Sequence, residues 1–420
     1  MVSSIKAVFG KEEYARLASN LFSLSTLQLV SYALPLVTLP YLVRVLGAEK
    51  FGLLMFSQSF VTYLGILVDY GFNLSATREI SINRENRAKV TEIFSAVMTI
   101  KMCLLVLSFV ILCATVFGFE RFRHEWEVYF LSFTLVVGQA LFPVWYFQGM
   151  EKMKFMTLLN IFAKVFFTVM IFVCVRREGD YLIVPLLNGL GFIISGLGSL
   201  WLVMKKMGQR FTFCAPAVLK SHLRESSEYF FSRISVSAYT SSNVFFLGLI
   251  TSHTMVGYYA IAEKIYNALQ QGYQPIVQSL YPYIAKQRNI RLFKKLFAYA
   301  NFFNFLLVGL LFLSAARVIR IVSGHSIVES TLVLQILLAA SLFVVPSIML
   351  GYPFLAALGH KRIANYSVIL GALLHIIVLS ILAVLGKMTV TSVAAMVLIT
   401  ELIVLSIRSY GVQKSKLWNC

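Results

Sequence analysis

Seven ionisable residues stand inside long apolar stretches of this sequence. The cationic members are Lys101, Lys164, Arg233 and Lys264, and the acidic members are Asp69, Glu263 and Glu401. An ionisable side chain inside the hydrocarbon layer of a membrane costs about 2.5–3.5 kcal/mol, so such a group normally faces a water-filled path, a ligand or an opposite charge. These seven residues are therefore the candidate site residues.

The sign of the buried charges indicates the chemistry of a ligand. Lysine and arginine side chains in a low-dielectric cavity attract an anion strongly, and a diphosphate carries about two negative charges. We predict that the four cations bind an anionic substrate such as a diphosphate, and that the three carboxylates are candidates for a substrate or ion-coupling role. Internal ion pairs, or long side chains that reach the membrane surface, are the alternative interpretation.

No enzyme chemistry emerges from the motifs. The chain has no phosphate-binding loop of the G-x-x-x-x-G-K-[ST] type, and its five cysteines show neither a disulfide framework nor metal-ligand spacing. We predict no catalytic residue, no metal site and no cofactor.

The elements that position these charges must be membrane helices. Hydrophobic residues make up 59% of the chain and charged residues 13%, with a mean hydropathy of +0.79, whereas soluble proteins have about 25% charged residues. The apolar stretches are as long as a membrane-crossing helix, about 20 residues, and do not alternate as barrel strands would. The sequence predicts an all-α integral membrane protein with about twelve spans. They are 17–45, 51–75, 90–118, 127–149, 154–176, 181–204, 227–250, 255–284, 296–319, 331–358, 363–386 and 388–411.

Two landmarks suggest that the chain is a duplication. Gly52 and Gly257 lie 205 residues apart, each in a polar turn before an apolar run, and Gly149 and Gly359 lie 210 residues apart. Internal repeats are common in transporters. We predict two pseudo-symmetric six-helix lobes, an N-lobe at 17–204 and a C-lobe at 227–411. An interfacial segment at 1–16, a linker at 205–226 and a tail at 412–420 complete the domain prediction.

The net charge of +19 is mostly an orientation signal. If the N-terminus is cytoplasmic, 24 of the 37 Lys and Arg residues fall in cytoplasmic segments. This asymmetry follows the positive-inside rule and predicts that both termini and the linker are cytoplasmic. Nucleic acid is excluded as the reason for the charge.

The chain resembles the bacterial polysaccharide repeat-unit flippases of the Wzx type. These belong to the superfamily that includes the multidrug and toxic-compound extrusion (MATE) transporters. The resemblance rests on a turn with Arg44, Leu46, Gly47, Phe51 and Gly52, on the segment DYGFNLSATREIS from Asp69 to Ser81, and on an element with Gln148, Gly149 and Glu151.

The resemblance implies a MATE-like fold that moves an undecaprenyl diphosphate-linked oligosaccharide between the leaflets of a bacterial inner membrane. It implies alternating access of a central cationic cavity, coupling to an H⁺ or Na⁺ gradient, and a polymerase and a chain-length regulator as partners. Two other classes stay open: a drug or metabolite antiporter of the same fold, which would need an acidic cavity, and a membrane-embedded polysaccharide polymerase. The short periplasmic connections argue against the polymerase, and charges in both halves argue against an inert scaffold.

Overall fold

The computed structural model describes the backbone of residues 11–418; the side chains of residues 11–25, 29, 232, 235, 236 and 238–240 are not described. Every regular element in this part of the chain is helical. The prediction of an all-α protein is confirmed. The predicted interfacial segment 1–16 lies mostly outside the described residues.

The chain divides into two compact units. The first contains Phe60–Ile234 and the chain up to Thr38, and the second contains Leu39–Ser59 and Ser235–Cys420. Two helices therefore run from one unit into the other along the chain. The packing assigns Leu39–Ser59 to the second unit, and the predicted lobe boundaries remain predictions.

The first half of the chain supplies eight α-helices. They are α1 (Lys11–Asp69), α2 (Phe72–Ile82), α3 (Arg87–Gly118), α4 (Glu120–Arg123), α5 (Trp126–Leu141), α6 (Val144–Gly149), α7 (Met153–Cys174) and α8 (Ile183–Trp201). Helix α1 is continuous except at Gly47, which has a φ of 70°. Glycine adopts this left-handed conformation without steric penalty, so the kink falls on the turn that the sequence indicated.

The second half supplies nine α-helices. They are α9 (Pro216–Thr240), α10 (Ser242–Ile250), α11 (His253–Gln271), α12 (Gln274–Gln287), α13 (Ile290–Leu313), α14 (Ala315–Ser323), α15 (Val328–Leu350), α16 (Lys361–Val384) and α17 (Val390–Lys414). From the part of α1 after Gly47 onward, each helix of the first half has a counterpart about 205 residues later, and the counterpart of α6 is the π-helical segment Gly351–Ala356. The order of elements therefore repeats, as the duplication predicts.

Nine segments among the described residues are long and apolar enough to cross a membrane. The first is Thr26–Ile82, which covers residues 26–45 of the first predicted span and all of the second because α1 continues through its kink. Predicted spans seven and eight are absent from the nine, because residues 216–287 form four helices that are either short or rich in polar residues. The count of twelve is not confirmed, but the multi-pass membrane class is.

Each unit has its own apolar core. In the first unit, Phe94, Trp145 and Phe147 are fully buried between α2, α3, α6 and α7. In the second, Phe293 stacks on Phe354 with ring centroids 4.2 Å apart. The outer surface is also apolar: α13 exposes Phe302, Phe303, Phe305, Leu310 and Leu313. Exposed apolar surface of this kind faces lipid in a membrane protein.

Candidate functional site

The first unit brings three of the predicted site residues together. Asp69 is the last residue of α1, Lys101 lies in the middle of α3, and Arg233 lies on α9. The guanidinium Nη1 of Arg233 is 3.6 Å from Asp69 Oδ2, and Lys101 interacts electrostatically with the same carboxylate. One carboxylate therefore faces two cations, so the group carries a net positive charge.

The Asp69 carboxylate is incompletely satisfied. Its side chain is only 13% exposed, and its Oδ2 atom is buried and accepts no hydrogen bond within the described structure. The 3.6 Å contact with Arg233 is an ion pair that is too long for a hydrogen bond. A buried carboxylate oxygen without a donor is costly, and a proton, a cation or a water molecule would remove that cost.

The two cations differ in how accessible they are. Lys101 is buried, and within the described part of the chain its Nζ atom donates a single long hydrogen bond, 3.5 Å to the backbone carbonyl of Gln139. The side chain of Arg233 is 47% exposed. A guanidinium group has five N–H donors, so Arg233 keeps donors available beyond its contact with Asp69.

Lys164 lies in the same unit with a different partner. Its Nζ atom donates a 2.5 Å hydrogen bond to the hydroxyl of Ser31 on α1. Among the described residues no carboxylate forms an ion pair with Lys164, which is only partly buried. Lys164 is therefore a second cation whose charge is not neutralised within the described part of its unit.

The other three predicted site residues belong to the second unit. Glu263 on α11 lies beside Asn243 and Tyr259 and interacts electrostatically with the adjacent Lys264. Glu401 on α17 interacts with Tyr266. Glu263, Lys264 and Glu401 are each partly buried, and the roles predicted for them remain predictions.

Two buried basic residues of the second unit have structural partners. His375 Nε2 is 2.8 Å from Asn243 Oδ1, and its Nδ1 is 2.9 Å from Thr400 Oγ1. Arg408 donates to the Ser347 carbonyl at 2.6 Å and to Ser367 Oγ at 2.9 Å. From the sequence, Arg408 is a charge at the cytoplasmic end of a span. In the sequence, the one feature that indicates its burial is the presence of small serine residues, Ser347 and Ser367, on the neighbouring helices.

Sequence reasoning also misses a group formed by Glu79, His222 and Glu225 in the first unit. These residues lie on α2 and α9, about 145 positions apart in the sequence, and each looks like an ordinary solvated residue near a span end. Only the packing of the two helices brings them together.

The motifs that carry the resemblance have direct structural roles. In the second unit, the backbones of Gly52 and Gly257 approach so closely that a Cβ atom on either would overlap a carbonyl oxygen of the facing helix. In the first unit, Gly149 packs on Ile80, and Arg84 forms a 2.9 Å ion pair with Glu151. The segment Ala76–Ser81 and the element Gln148–Glu151 therefore pack against each other.

Residues 17–287 match the model of a family described as polysaccharide biosynthesis proteins. The chain belongs to this family. Curated relatives include proteins assigned as O-antigen transporters. The one from Escherichia coli strain K12 is 29% identical over 96% of this chain and 98% of its own length, and the one from Shigella dysenteriae is 28% identical over 85% and 91%.

Solved structures share the fold. An inward-facing MATE family multidrug resistance transporter matches with a TM-score of 0.68 at 15% identity, covering 91% of this chain and 95% of its own. The lipid II flippase MurJ in an inward closed conformation matches with a TM-score of 0.69 at 13% identity, covering 94% and 87%. The predicted MATE-like fold, the relationship to polysaccharide repeat-unit flippases and the assignment as a transporter rather than an enzyme are confirmed.

Proposed function

We propose that this chain is a flippase that moves undecaprenyl diphosphate-linked oligosaccharide repeat units from the cytoplasmic to the periplasmic leaflet of a bacterial inner membrane. The observation that carries the proposal is the match to the O-antigen transporter of Escherichia coli strain K12, which extends over nearly the full length of both chains. Membership of the polysaccharide biosynthesis family supports the same substrate class.

The buried charges support an anionic substrate. Lys101 and Arg233 outnumber the single carboxylate between them, and Lys164 has a hydroxyl as its partner. Arg233 is half-exposed and can offer two parallel N–H donors to a phosphate, the geometry that guanidinium groups favour. Lys101 would then supply a point charge in a buried setting. Lys264 is the candidate that the second unit contributes.

The physical task needs no covalent chemistry. The lipid tail of such a substrate can remain in the bilayer, whereas its sugar and diphosphate must cross about 30 Å of hydrocarbon. A central cavity lined by cations would replace the hydration that the diphosphate loses. Alternating access of that cavity to the two sides of the membrane would complete the transfer.

Asp69 supports coupling to an ion gradient. Its buried Oδ2 atom, which accepts no hydrogen bond within the described structure, can take up a proton or coordinate Na⁺. Protonation of Asp69 would weaken its hold on Arg233 and free the guanidinium for the diphosphate, which links ion binding to substrate binding at one carboxylate. Glu263 and Glu401 are the corresponding candidates in the second unit. A polymerase and a chain-length regulator are the partners expected from the resemblance.

The experiment that tests the function measures which leaflet holds the lipid-linked repeat units. Cells are depleted of this protein in a polymerase-deficient background, so that single repeat units accumulate. We expect accumulation on the cytoplasmic face, reversed by the wild-type gene. If export is normal without the protein, the flippase proposal fails, and resistance to organic cations becomes the next measurement because it tests the antiporter alternative.

A further inference from the structure

Helices α2 and α9 pack antiparallel within the first unit, with contacts at intervals of about one turn. The ring of Tyr70, just before α2, stacks on Phe230 with centroids 4.7 Å apart. One turn further along α2, the hydroxyls of Ser75 and Ser226 are 2.7 Å apart. The next turn of α2 carries Glu79, which faces His222 on α9. The register of the two helices is therefore fixed by side-chain contacts before Glu79 is reached.

Three side chains with metal-binding atoms meet at the end of this seam. The Nδ1 atom of His222 is 3.2 Å from Glu79 Oε2, and the carboxyl groups of Glu79 and Glu225 interact with each other. The three ligand atoms all lie within 4.8 Å of one another. His222 is buried, Glu79 is partly buried and Glu225 is exposed, so the group is open to solvent on one side only.

Two carboxyl groups in contact repel each other when both are ionised, unless a proton or a cation lies between them. His222 interacts electrostatically with both carboxylates, and so does Lys89 on α3, which lies outside the group. However, its Nζ atom is 2.7 Å from Glu92, so its hydrogen bond is directed to another acid. Lys89 therefore lowers the repulsion without filling the position between Glu79, Glu225 and His222.

We propose that Glu79, His222 and Glu225 bind a divalent transition-metal ion. One imidazole nitrogen and two carboxylate oxygens form a donor set that suits Zn²⁺, which binds three protein ligands and a water molecule in open tetrahedral sites. Zn–N and Zn–O bonds are about 2.0–2.2 Å long, so small side-chain movements within the present spacing would complete the site.

The metal would cross-link α9 and α2 at the end of their contact that lies opposite the Tyr70–Phe230 stack. Because α9 continues from the first unit into the second along the chain, its attachment to α2 fixes the part of α9 that belongs to the first unit. This role is separate from substrate binding: the group is distinct from the residues Asp69, Lys101 and Arg233, and its ligand is a cation rather than a lipid-linked saccharide.

The test is zinc binding to the full-length protein purified in detergent and stripped with a chelator. Free Zn²⁺ is measured by competition with a chromophoric chelator. We expect one high-affinity ion per chain, and an affinity at least about tenfold weaker in Glu79→Gln, His222→Ala and Glu225→Gln, since even residues behind the ligands contribute factors of 10–100. Glu228→Gln is the matched control, because Glu228 is an exposed acid on the same helix, and it should bind as the wild type does.

A second measurement keeps the proposal testable if a variant folds poorly. Zinc should raise the thermal unfolding temperature of the wild type and of Glu228→Gln, and should not do so in the three ligand variants. Absence of stoichiometric binding to the wild type would overturn the proposal. Equal binding by all three ligand variants would overturn it too, because the ion would then lie elsewhere. Neither result depends on transport, so failure of the flippase proposal is a separate outcome.

Discussion

One helix position is occupied by a polar residue in both units, but the residue is charged in the first unit and neutral in the second. Lys101 is the fifteenth residue of α3, and Asn304 is the fifteenth residue of its counterpart α13. Lys101 points its Nζ atom at the backbone carbonyl of Gln139 on α5, and Asn304 donates at 3.1 Å to the carbonyl of Ser341, which has the corresponding position on α15. The helix register is the same, but one residue is charged and the other is neutral.

The hydrogen-bond partners of these two residues differ as well. In the second unit, the hydroxyl of Tyr273 donates a 2.9 Å hydrogen bond to Asn304 Oδ1, so both ends of the amide are used. Among the described residues of the first unit, the one hydrogen bond of Lys101 is the 3.5 Å contact, and Asp69 Oδ2 accepts none. A saturated neutral network rigidifies a core, whereas unsatisfied charges keep capacity for a ligand. We infer that after duplication this position became a structural contact in the second unit and a binding site in the first.

The largest expected effect comes from making the first unit like the second. Lys101→Asn replaces a buried charge by the residue found at the equivalent position. Hydrogen bonds to charged groups are worth about 1.5–3 kcal/mol, so we expect transport to fall by about 10- to 100-fold. The measurement is surface polysaccharide in a deletion strain that carries each variant at equal membrane abundance. Wild-type levels of polysaccharide in this variant would show that Lys101 is structural, and the comparison between the units would fail.

The complementary change in the second unit should affect stability instead. Asn304→Leu keeps the approximate size of the side chain but removes the acceptor of the Tyr273 hydroxyl and the side-chain hydrogen bond to the Ser341 carbonyl. We expect a loss of about 1–3 kcal/mol of unfolding free energy, with transport per folded molecule unchanged. Asn301→Leu is the control, because Asn301 donates only to Phe297, one turn earlier on the same helix. Thermal unfolding in detergent and reconstituted transport measure the two quantities separately.

The sequence was sufficient to predict most of the long apolar helices, but not the four helices of residues 216–287 or the units into which the helices pack. Span three was predicted at 90–118 and α3 begins at Arg87 and ends at Gly118; span eleven was predicted at 363–386 and α16 is Lys361–Val384. Long apolar runs determine such helices by themselves. The assignment of Leu39–Ser59 to the second unit depends instead on the close approach of Gly52 and Gly257. The sequence comparison recognised these two glycines as a repeat but could not show them as packing partners.

The candidate site was predictable as a set of charges and not as a set of contacts. The cost of a charge in lipid singled out Asp69, Lys101 and Arg233, but Asp69 and Arg233 are 164 positions apart, so only packing brings them together. Arg408 shows the opposite case: its position near the end of a span indicates a solvated charge, but Ser347 and Ser367 accept hydrogen bonds from it inside the second unit. Position along a span does not reveal which face of a helix a residue occupies.

A smaller and more specific effect is expected from Asp69→Asn. This change keeps the shape of the side chain and removes the charge that Arg233 and Lys101 face. If Asp69 couples transport to an ion gradient, the ratio of transport with and without an H⁺ or Na⁺ gradient should fall to about one in reconstituted vesicles, because the amide cannot take up a proton or hold a cation as a carboxylate does. Glu85→Gln, at an exposed acid, should keep the wild-type ratio. Unchanged gradient dependence in Asp69→Asn would leave the second-unit carboxylates as the coupling candidates.

The smallest effect should come from Arg233→Lys, and its size separates the two cations of the first unit. The side chain of Arg233 is half-exposed, so solvent screens its charge, and exposed charge pairs are worth about 0.2–1 kcal/mol. Lysine keeps the charge but loses the paired N–H donors that match a phosphate. We expect a reduction in transport of no more than about fivefold, whereas Arg224→Lys, at an exposed arginine of the same helix, should have none. A loss as large as that of Lys101→Asn would mean that the bidentate contact of the guanidinium, rather than the buried ammonium of Lys101, dominates binding of the diphosphate.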